Sequence, residues 1–96
     1  MKTIDLATTE AIEHISNILA AKSRENLDAG ECLGFLTKAI GNLMGDNPMA
    51  ADSNLIMFIR YAKSIGDAEY DTASFITRKL VLTSTVLKER WVNEKG

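Results

Sequence analysis

Ninety-six residues with a mass of 10.5 kDa suffice for one small domain, which we expect to span residues 1–96. The apolar fraction of 46% beside a charged fraction of 25% argues against intrinsic disorder, because such a chain can bury a core. A formal charge of −2 argues against a protein that coats DNA, which needs a basic excess. The single cysteine, the absence of a signal-peptide pattern and the absence of a membrane-spanning stretch together predict a cytoplasmic protein.

The first predicted helix covers residues 6–23. Asp5 precedes it as a plausible N-cap, since a short acceptor side chain can bind a free N–H of the first turn. His14 falls on the polar side and is expected to face solvent. The apolar residues that recur at helical spacing are Ile12, Ile15, Ile18 and Leu19.

The second predicted helix covers residues 29–44. Asp28 stands three residues before Glu31, a variant of the capping box. Leu27 and Cys32 occupy the two positions of a hydrophobic staple across that start. The apolar stripe that follows is Cys32, Leu33, Phe35, Leu36, Ala39, Ile40, Leu43 and Met44.

Turn residues separate the remaining helices. Gly45 is predicted to end the second helix in the left-handed conformation. Asn47 then caps a third helix at 48–65, with Pro48 at its first position, where the missing N–H does no harm. This helix stops at Gly66.

The fourth predicted helix covers residues 68–94, with Asp67 as its cap. Residues 75–86 are rich in Thr, Val and Ile, so a strand is an alternative for that part. The helix is favoured because no Gly or Pro interrupts the run before Gly96. Short connections between four such segments predict an all-α fold, a compact four-helix domain with a long C-terminal helix.

The fourth helix is predicted to outreach the other three. At 1.5 Å per residue it would be about 40 Å long, against about 25 Å for the others. Its projecting end holds an apolar set that forms a candidate interface, namely Val86, Leu87, Trp91 and Val92. We expect a homodimer in which these ends pack on each other or on the partner's core; the alternative is that the N-terminal segment folds back and covers them.

Glycines give a second candidate interface. Gly34 and Gly41 lie within the second helix, and with Gly30 and Gly45 they form a narrow strip on one face. Interior glycine costs about 1 kcal/mol of helix stability relative to alanine, and a close approach of another backbone would explain it. Gly30 and Gly45 are equally explained by their places at the helix ends.

Basic residues along the fourth helix form a candidate patch for an acidic protein or nucleic acid. They are Arg78, Lys79, Lys88 and Arg90. The alternative explanation is structural, because acids at the start of a helix and bases toward its end complement the helix dipole.

The residues needed for catalysis or for metal and cofactor binding are missing from the sequence. His14 is the only histidine, so no multi-histidine metal site is expected, and Cys32 lies on an apolar stripe where a small buried residue is expected. No phosphate loop, dinucleotide fingerprint or nucleophile elbow occurs. We expect no enzyme, no cofactor and no metal.

Three stretches of the chain read ECLGFLTKAIGNLM at 31–44, GDN at 45–47 and NLIMFI at 54–59. With these stretches, residues 31–80 resemble the AriR/YmgB-like family of small biofilm and acid-stress regulators. A looser likeness follows around Ile76, Arg78 and Lys79. The resemblance implies a non-enzymatic, dimeric helical protein that connects stress or two-component signalling pathways, and no functional residue is carried over. The similar positions are Glu31, Leu36, Ala39, Ile40, Asn42, Leu43, Met44, Gly45, Asp46, Asn47, Asn54 and Ile56.

The leading hypothesis is therefore a homodimeric adaptor that binds another bacterial protein. A phage- or plasmid-encoded inhibitor of a host protein is the first alternative, because small size and acidity fit it equally well. A promoter-associated regulator that uses the basic patch is the second. No membrane partner is expected.

Overall fold

Four helices joined by short turns make up the computed structural model, which describes residues 4–95. They are α1 (Leu6–Lys22), α2 (Leu27–Met44), α3 (Pro48–Ile65) and α4 (Asp67–Lys95). No strand occurs in that range, so residues 75–86 are helical. The predicted all-α fold with a long last helix is confirmed. At 29 residues α4 is about 43 Å long, whereas α2 and α3 have 18 residues each and measure about 27 Å.

Each helix contributes one apolar face to a common core. Phe58 of α3 is its largest member, and burial of such a side chain contributes about 2 kcal/mol. Cys32 lies in this core as predicted, where its thiol donates a hydrogen bond to the Phe58 carbonyl at 3.4 Å. The other fully or almost fully buried apolar residues are Ile15, Leu19, Ala29, Leu36, Ala39, Leu43, Ala51, Leu55, Ala62, Ala73, Ile76 and Leu80.

The helices pack in chain order, and α1 closes the arrangement by packing against both α2 and α4. Lys22 at the end of α1 pairs with Glu69 near the start of α4 at 3.2 Å. At the other end of α1, Asp5 lies within the electrostatic reach of Lys79. Helix α1 therefore runs antiparallel to α4.

Two predicted N-caps are confirmed. The Asp5 carboxylate accepts hydrogen bonds from the backbone N–H of Thr8 at 2.8 Å and from its hydroxyl at 2.6 Å. The Asn47 side chain accepts from the backbone N–H of Ala50 at 3.3 Å. Both acceptors satisfy N–H groups that have no partner within the helix.

The predicted start of α2 is wrong by two residues. Asn26 is the N-cap, because its side-chain oxygen accepts from the backbone N–H of Asp28 at 2.9 Å. Leu27 is then the first helical residue and is 86% exposed, so it forms no hydrophobic staple with Cys32. An asparagine two residues upstream competes successfully with Asp28 for the same role.

The predicted end of the third helix at Gly66 is confirmed, whereas the predictions for Gly45 and for Asp67 are corrected. Gly45 has φ −91° and is not left-handed; the residue in the left-handed region is Asp46, with φ 56°. Helix α4 begins at Asp67 itself, and the Gly66 carbonyl accepts its first bond from the Tyr70 N–H at 3.0 Å. Asp67 is thus the first residue of the helix, where its charge favours the positive end of the dipole.

Candidate interaction surface at the end of α4

The C-terminal end of α4, residues 86–95 and called the α4 tip below, passes beyond the start of α3. Ser84 marks the crossing point: it is fully buried, and its hydroxyl donates to the Pro48 carbonyl at 3.3 Å. One turn further on, Lys88 forms an ion pair with Asp52 of α3. The α4 tip then faces the turn between α2 and α3 rather than the body of a helix.

A groove of about 380 Å³ opens between the α4 tip and the start of α3. Trp91 forms one wall and is 58% exposed, while Met49 on the other wall is 71% exposed. We call this feature the Trp91 groove. Its lining residues are Asp46, Asn47, Pro48, Met49, Lys88, Trp91 and Val92.

The walls of the Trp91 groove are suited to bind an apolar side chain. Tryptophan offers a large rigid apolar surface with one polar N–H. Methionine is flexible and polarisable, so it adapts to ligands of different shape. Exposed Met44, at the end of α2, adds a second methionine to the same end of the bundle.

The ion pair between Lys88 and Asp52 ties the groove walls together. Lys88 lies on the α4 side and Asp52 on the α3 side, one turn after Pro48. The Lys88 ammonium donates a hydrogen bond to one carboxylate oxygen of Asp52. The other carboxylate oxygen is buried without a hydrogen-bond partner among the described residues. The two side chains are 41% and 30% exposed, so the pair is a modest contributor to stability that fixes the spacing of the two helices.

The four apolar tip residues predicted as an interface are not all on one face. Leu87 is half-buried and packs against the core, and Trp91 lines the groove. Val86 and Val92 are exposed and lie toward the outward side of α4. Val86, Trp91 and Val92 are 44%, 58% and 61% exposed, so the described part of the chain leaves these three side chains largely uncovered.

The glycines of α2 make no close contact within the chain. A Cβ atom built on Gly34 or on Gly41 would meet nothing within 4 Å. Both positions lie on the surface of α2 and neither has a positive φ. Their role as a contact surface for another molecule stays a prediction.

The four basic residues of α4 do not form one patch. At 100° per residue their side chains leave the helix in directions spread over about 200°. Lys88 is paired with Asp52, and the Lys79 ammonium lies 5.6 Å from the centre of the Phe75 ring. Arg90 borders the small cavity beside Trp91, on a different side from exposed Arg78.

Burial makes Cys32 a poor nucleophile. Desolvation raises the pKa of its thiol from 9.0 to about 12, so the reactive thiolate is scarce at neutral pH. His14 lies exposed on α1, as predicted. Within residues 4–95, no three His, Cys, Asp or Glu side chains gather closely enough to hold a metal ion.

The sequence did not reveal the α3 half of the groove. Met49 follows the Asn47–Pro48 start signal, and Met44 ends an apolar stripe that was expected to be buried. Both are exposed because they lie on either side of the α2–α3 turn, beyond the last layer of the core. The only available signal was the presence of two methionines close to a helix boundary.

Comparisons with known proteins give no support from relatives. No family model, curated protein or solved structure matches the chain. No helix in the described range is both long enough and apolar enough to cross a membrane.

Proposed function

We propose that the protein is a non-enzymatic, homodimeric adaptor that regulates another protein by binding it. The observation that carries this proposal is the Trp91 groove, where a tryptophan and a methionine stand exposed on facing walls. Its partner would insert a large apolar side chain, presented by a helix or an extended segment, between Trp91 and Met49.

The character of the groove supports a protein partner over a small molecule. Small-molecule sites enclose most of their ligand and aim several polar groups at it. Trp91 and Met49 are 58% and 71% exposed, so the Trp91 groove encloses neither of its apolar walls, and its two charged lining residues are Lys88, which is engaged by Asp52, and Asp46 at the turn. Exposed Trp surrounded by apolar neighbours is typical of the central anchor of a protein interface.

The resemblance of residues 31–80 to the AriR/YmgB-like family supports a cytoplasmic role in stress or biofilm signalling. A phage- or plasmid-encoded inhibitor would use the same groove, and prophage genes beside this one would favour it. A promoter-associated role receives no support from α4, since its basic side chains diverge. If the purified protein were retained on DNA at physiological salt, the promoter-associated role would be favoured instead.

The test places a photo-crosslinking amino acid at Met49 and, in a second variant, at Leu27. Both positions are exposed apolar residues near a helix start. Met49 lies close to the C-terminal end of α2, whereas Leu27 lies at its N-terminal end, away from the groove. In the native host, we expect a specific adduct from position 49 and none from position 27. The purified adduct partner should then bind the wild-type protein in solution.

Substitutions distinguish groove binding from general adhesion. Trp91→Glu should weaken binding of the purified partner by about 100-fold, as expected for loss of an interface anchor worth about 3 kcal/mol. Leu27→Glu, the matched control, should leave binding unchanged. Equal effects of the two substitutions, or equal crosslinking from both positions, would contradict the proposal.

A further inference from the structure

A second surface lies along the outward side of α4, opposite the core. Its residues recur at alternating spacings of four and three, which places them on one stripe of the helix. Leu82, at the middle, is 62% exposed. The stripe consists of Arg78, Leu82, Thr85, Glu89 and Val92.

Exposed apolar residues widen this stripe on both sides. Val81 flanks it on one side and Val86 on the other, and both are exposed. Helices α1 and α3 pack against the opposite side of α4, where Ala73, Ile76 and Leu80 are buried. We call residues 78–92 of this outward side the α4 outer face.

The charges on the α4 outer face are complementary to those of its own copy. Arg78 and Glu89 lie equally far along α4 from the midpoint between Thr83 and Ser84. Neither has an ion-pair partner among the described side chains. Leu82 and Thr85 are related by the same midpoint, and so are Val81 and Val86.

We propose that two copies of this chain pair through their α4 outer faces in antiparallel orientation, with the two-fold axis at that midpoint. Arg78 of each copy then meets Glu89 of the other, which gives two ion pairs. Leu82 packs beside Thr85 between them. Val92 reaches toward half-buried Phe75 at each end.

Other arrangements of the same two helices are disfavoured by charge. A parallel pair would place Arg78 of one copy beside Arg78 of the other, and Glu89 beside Glu89, so that like charges repel. Sliding the antiparallel pair one heptad in one direction sets Glu89 against Asp71 of the second copy. Sliding it the other way leaves Arg78 beyond the end of the facing stripe. Only the proposed register pairs both charges.

This inference rests on the proposed homodimer and assigns its geometry. The stripe from Arg78 to Val92 is about 21 Å long, so the contact is small by the standards of permanent dimers. A concentration-dependent dimer is therefore expected. Trp91 leaves α4 on a different side from Leu82 and so is not covered in this arrangement, whereas Val92 lies at the boundary between the Trp91 groove and the α4 outer face.

The experiment measures dimer dissociation constants of the full-length protein by sedimentation equilibrium. We expect Arg78→Glu and Glu89→Arg each to raise the constant by about tenfold, since each replaces two attractive pairs with two repulsive ones. An equimolar mixture of these two variants should restore wild-type affinity through heterodimers. The double variant Arg78→Glu with Glu89→Arg should also regain it, because its charges are exchanged in both copies.

Each outcome separates the two proposals. A wild type that stays monomeric at high concentration overturns the homodimer as well as its geometry. A dimer that is insensitive to both single charge reversals overturns the α4 outer face alone. Circular dichroism checks that each variant is folded, and Leu27→Glu, at the end of the bundle where α4 begins and outside the α4 outer face, serves as the control that should dimerise normally.

Discussion

Asp5 holds the N-terminus of α1 through one side chain. Its carboxylate accepts from both the amide and the hydroxyl of Thr8. Hydrogen bonds from the Thr8 hydroxyl and then from its amide lower the pKa of Asp5 below the ordinary value of 3.8. These bonds favour the charged carboxylate, so folding and ionisation of Asp5 are linked.

The linkage predicts an acid-dependent loss of stability. Because the folded-state pKa is depressed, the stabilisation is present above pH 3.8 and is lost as the pH falls toward the lower folded value. Asp5→Asn should remove this part of the pH dependence. Urea unfolding of both proteins at a series of acidic pH values measures it.

Thr8→Val provides the matched control for Asp5. It keeps the shape of a fully buried residue and the backbone N–H but removes the hydroxyl donor. The pKa of Asp5, followed by carboxyl NMR, should rise part of the way to 3.8. An unchanged pKa in this variant would contradict the assigned cause.

Residue-scale prediction from the sequence succeeded at two N-caps, Asp5 and Asn47. Asn47 could be chosen over the neighbouring Asp46 because Pro48, a residue favoured at the first helical position, follows it directly. Prediction failed at α2, where Asn26 and Asp28 both could cap and only packing of the preceding turn decides between them. Asp46 was missed for a similar reason, because glycine is the usual left-handed residue and Gly45 stood next to it.

At the scale of the elements, α2 carries two glycines that its own fold does not require. Gly34 and Gly41 have ordinary helical space around them. Each lowers helix stability relative to alanine, since glycine loses more backbone freedom on folding.

We expect Gly34→Ala and Gly41→Ala each to raise the free energy of unfolding by about 0.5–1 kcal/mol. Chemical denaturation measures the change as a higher midpoint at constant slope. Dimerisation through the α4 outer face should be unchanged, because both glycines lie on a different helix. A loss of association would instead support the glycine strip as a contact surface.

Gly66→Ala is the matched control, because at this position the added Cβ atom would meet a neighbouring side chain. A Cβ atom there would lie 2.6 Å from Oε1 of Glu69, whose other oxygen binds Lys22. The variant must displace that carboxylate and should gain no stability. A gain equal to that of Gly34→Ala would show that the Glu69 contact is unimportant.

The helices themselves could be predicted because apolar periodicity depends only on which face is buried. The stripes named Ile15, Leu36 and Leu43 correctly as core. They failed at the end of the second stripe, where Met44 continues the pattern but is exposed. Periodicity reports direction around a helix and contains no information about where the neighbouring helix stops.

For the whole molecule, the difference in helix length means that neighbouring helices pack against only part of α4. The middle of α4 packs on both α1 and α3, whereas the α4 tip contacts only the turn between α2 and α3 and the first turns of α3 among the described residues. Local opening requires less free energy where fewer apolar contacts must break.

Amide hydrogen exchange should reveal this difference. Residues 90–95 are expected to exchange at least about 100-fold faster than residues 73–80 of the same helix, which contain the buried stretch. Binding of a partner in the Trp91 groove should slow the tip and leave residues 73–80 unchanged. Uniform exchange along α4 would contradict this account of its support.

Half of the candidate site could be predicted at this scale. Length arithmetic identified the α4 tip as an overhang, and Trp91 was correctly placed there. The opposite wall, with Pro48 and Met49, depends on which turn lies beneath the tip. That depends on the packing of α3 against α4, which no local pattern in the chain encodes.

The small side chain at position 84 has a consequence for the aperture between the two walls. Ser84 touches the Pro48 carbonyl, so the backbones of α3 and α4 come close at that point. A bulkier residue at position 84 would push the last turns of α4 away from the start of α3. The volume of this one residue therefore sets the width of the Trp91 groove, and would set which segment of the proposed partner fits it, without any change to the surfaces that touch the segment.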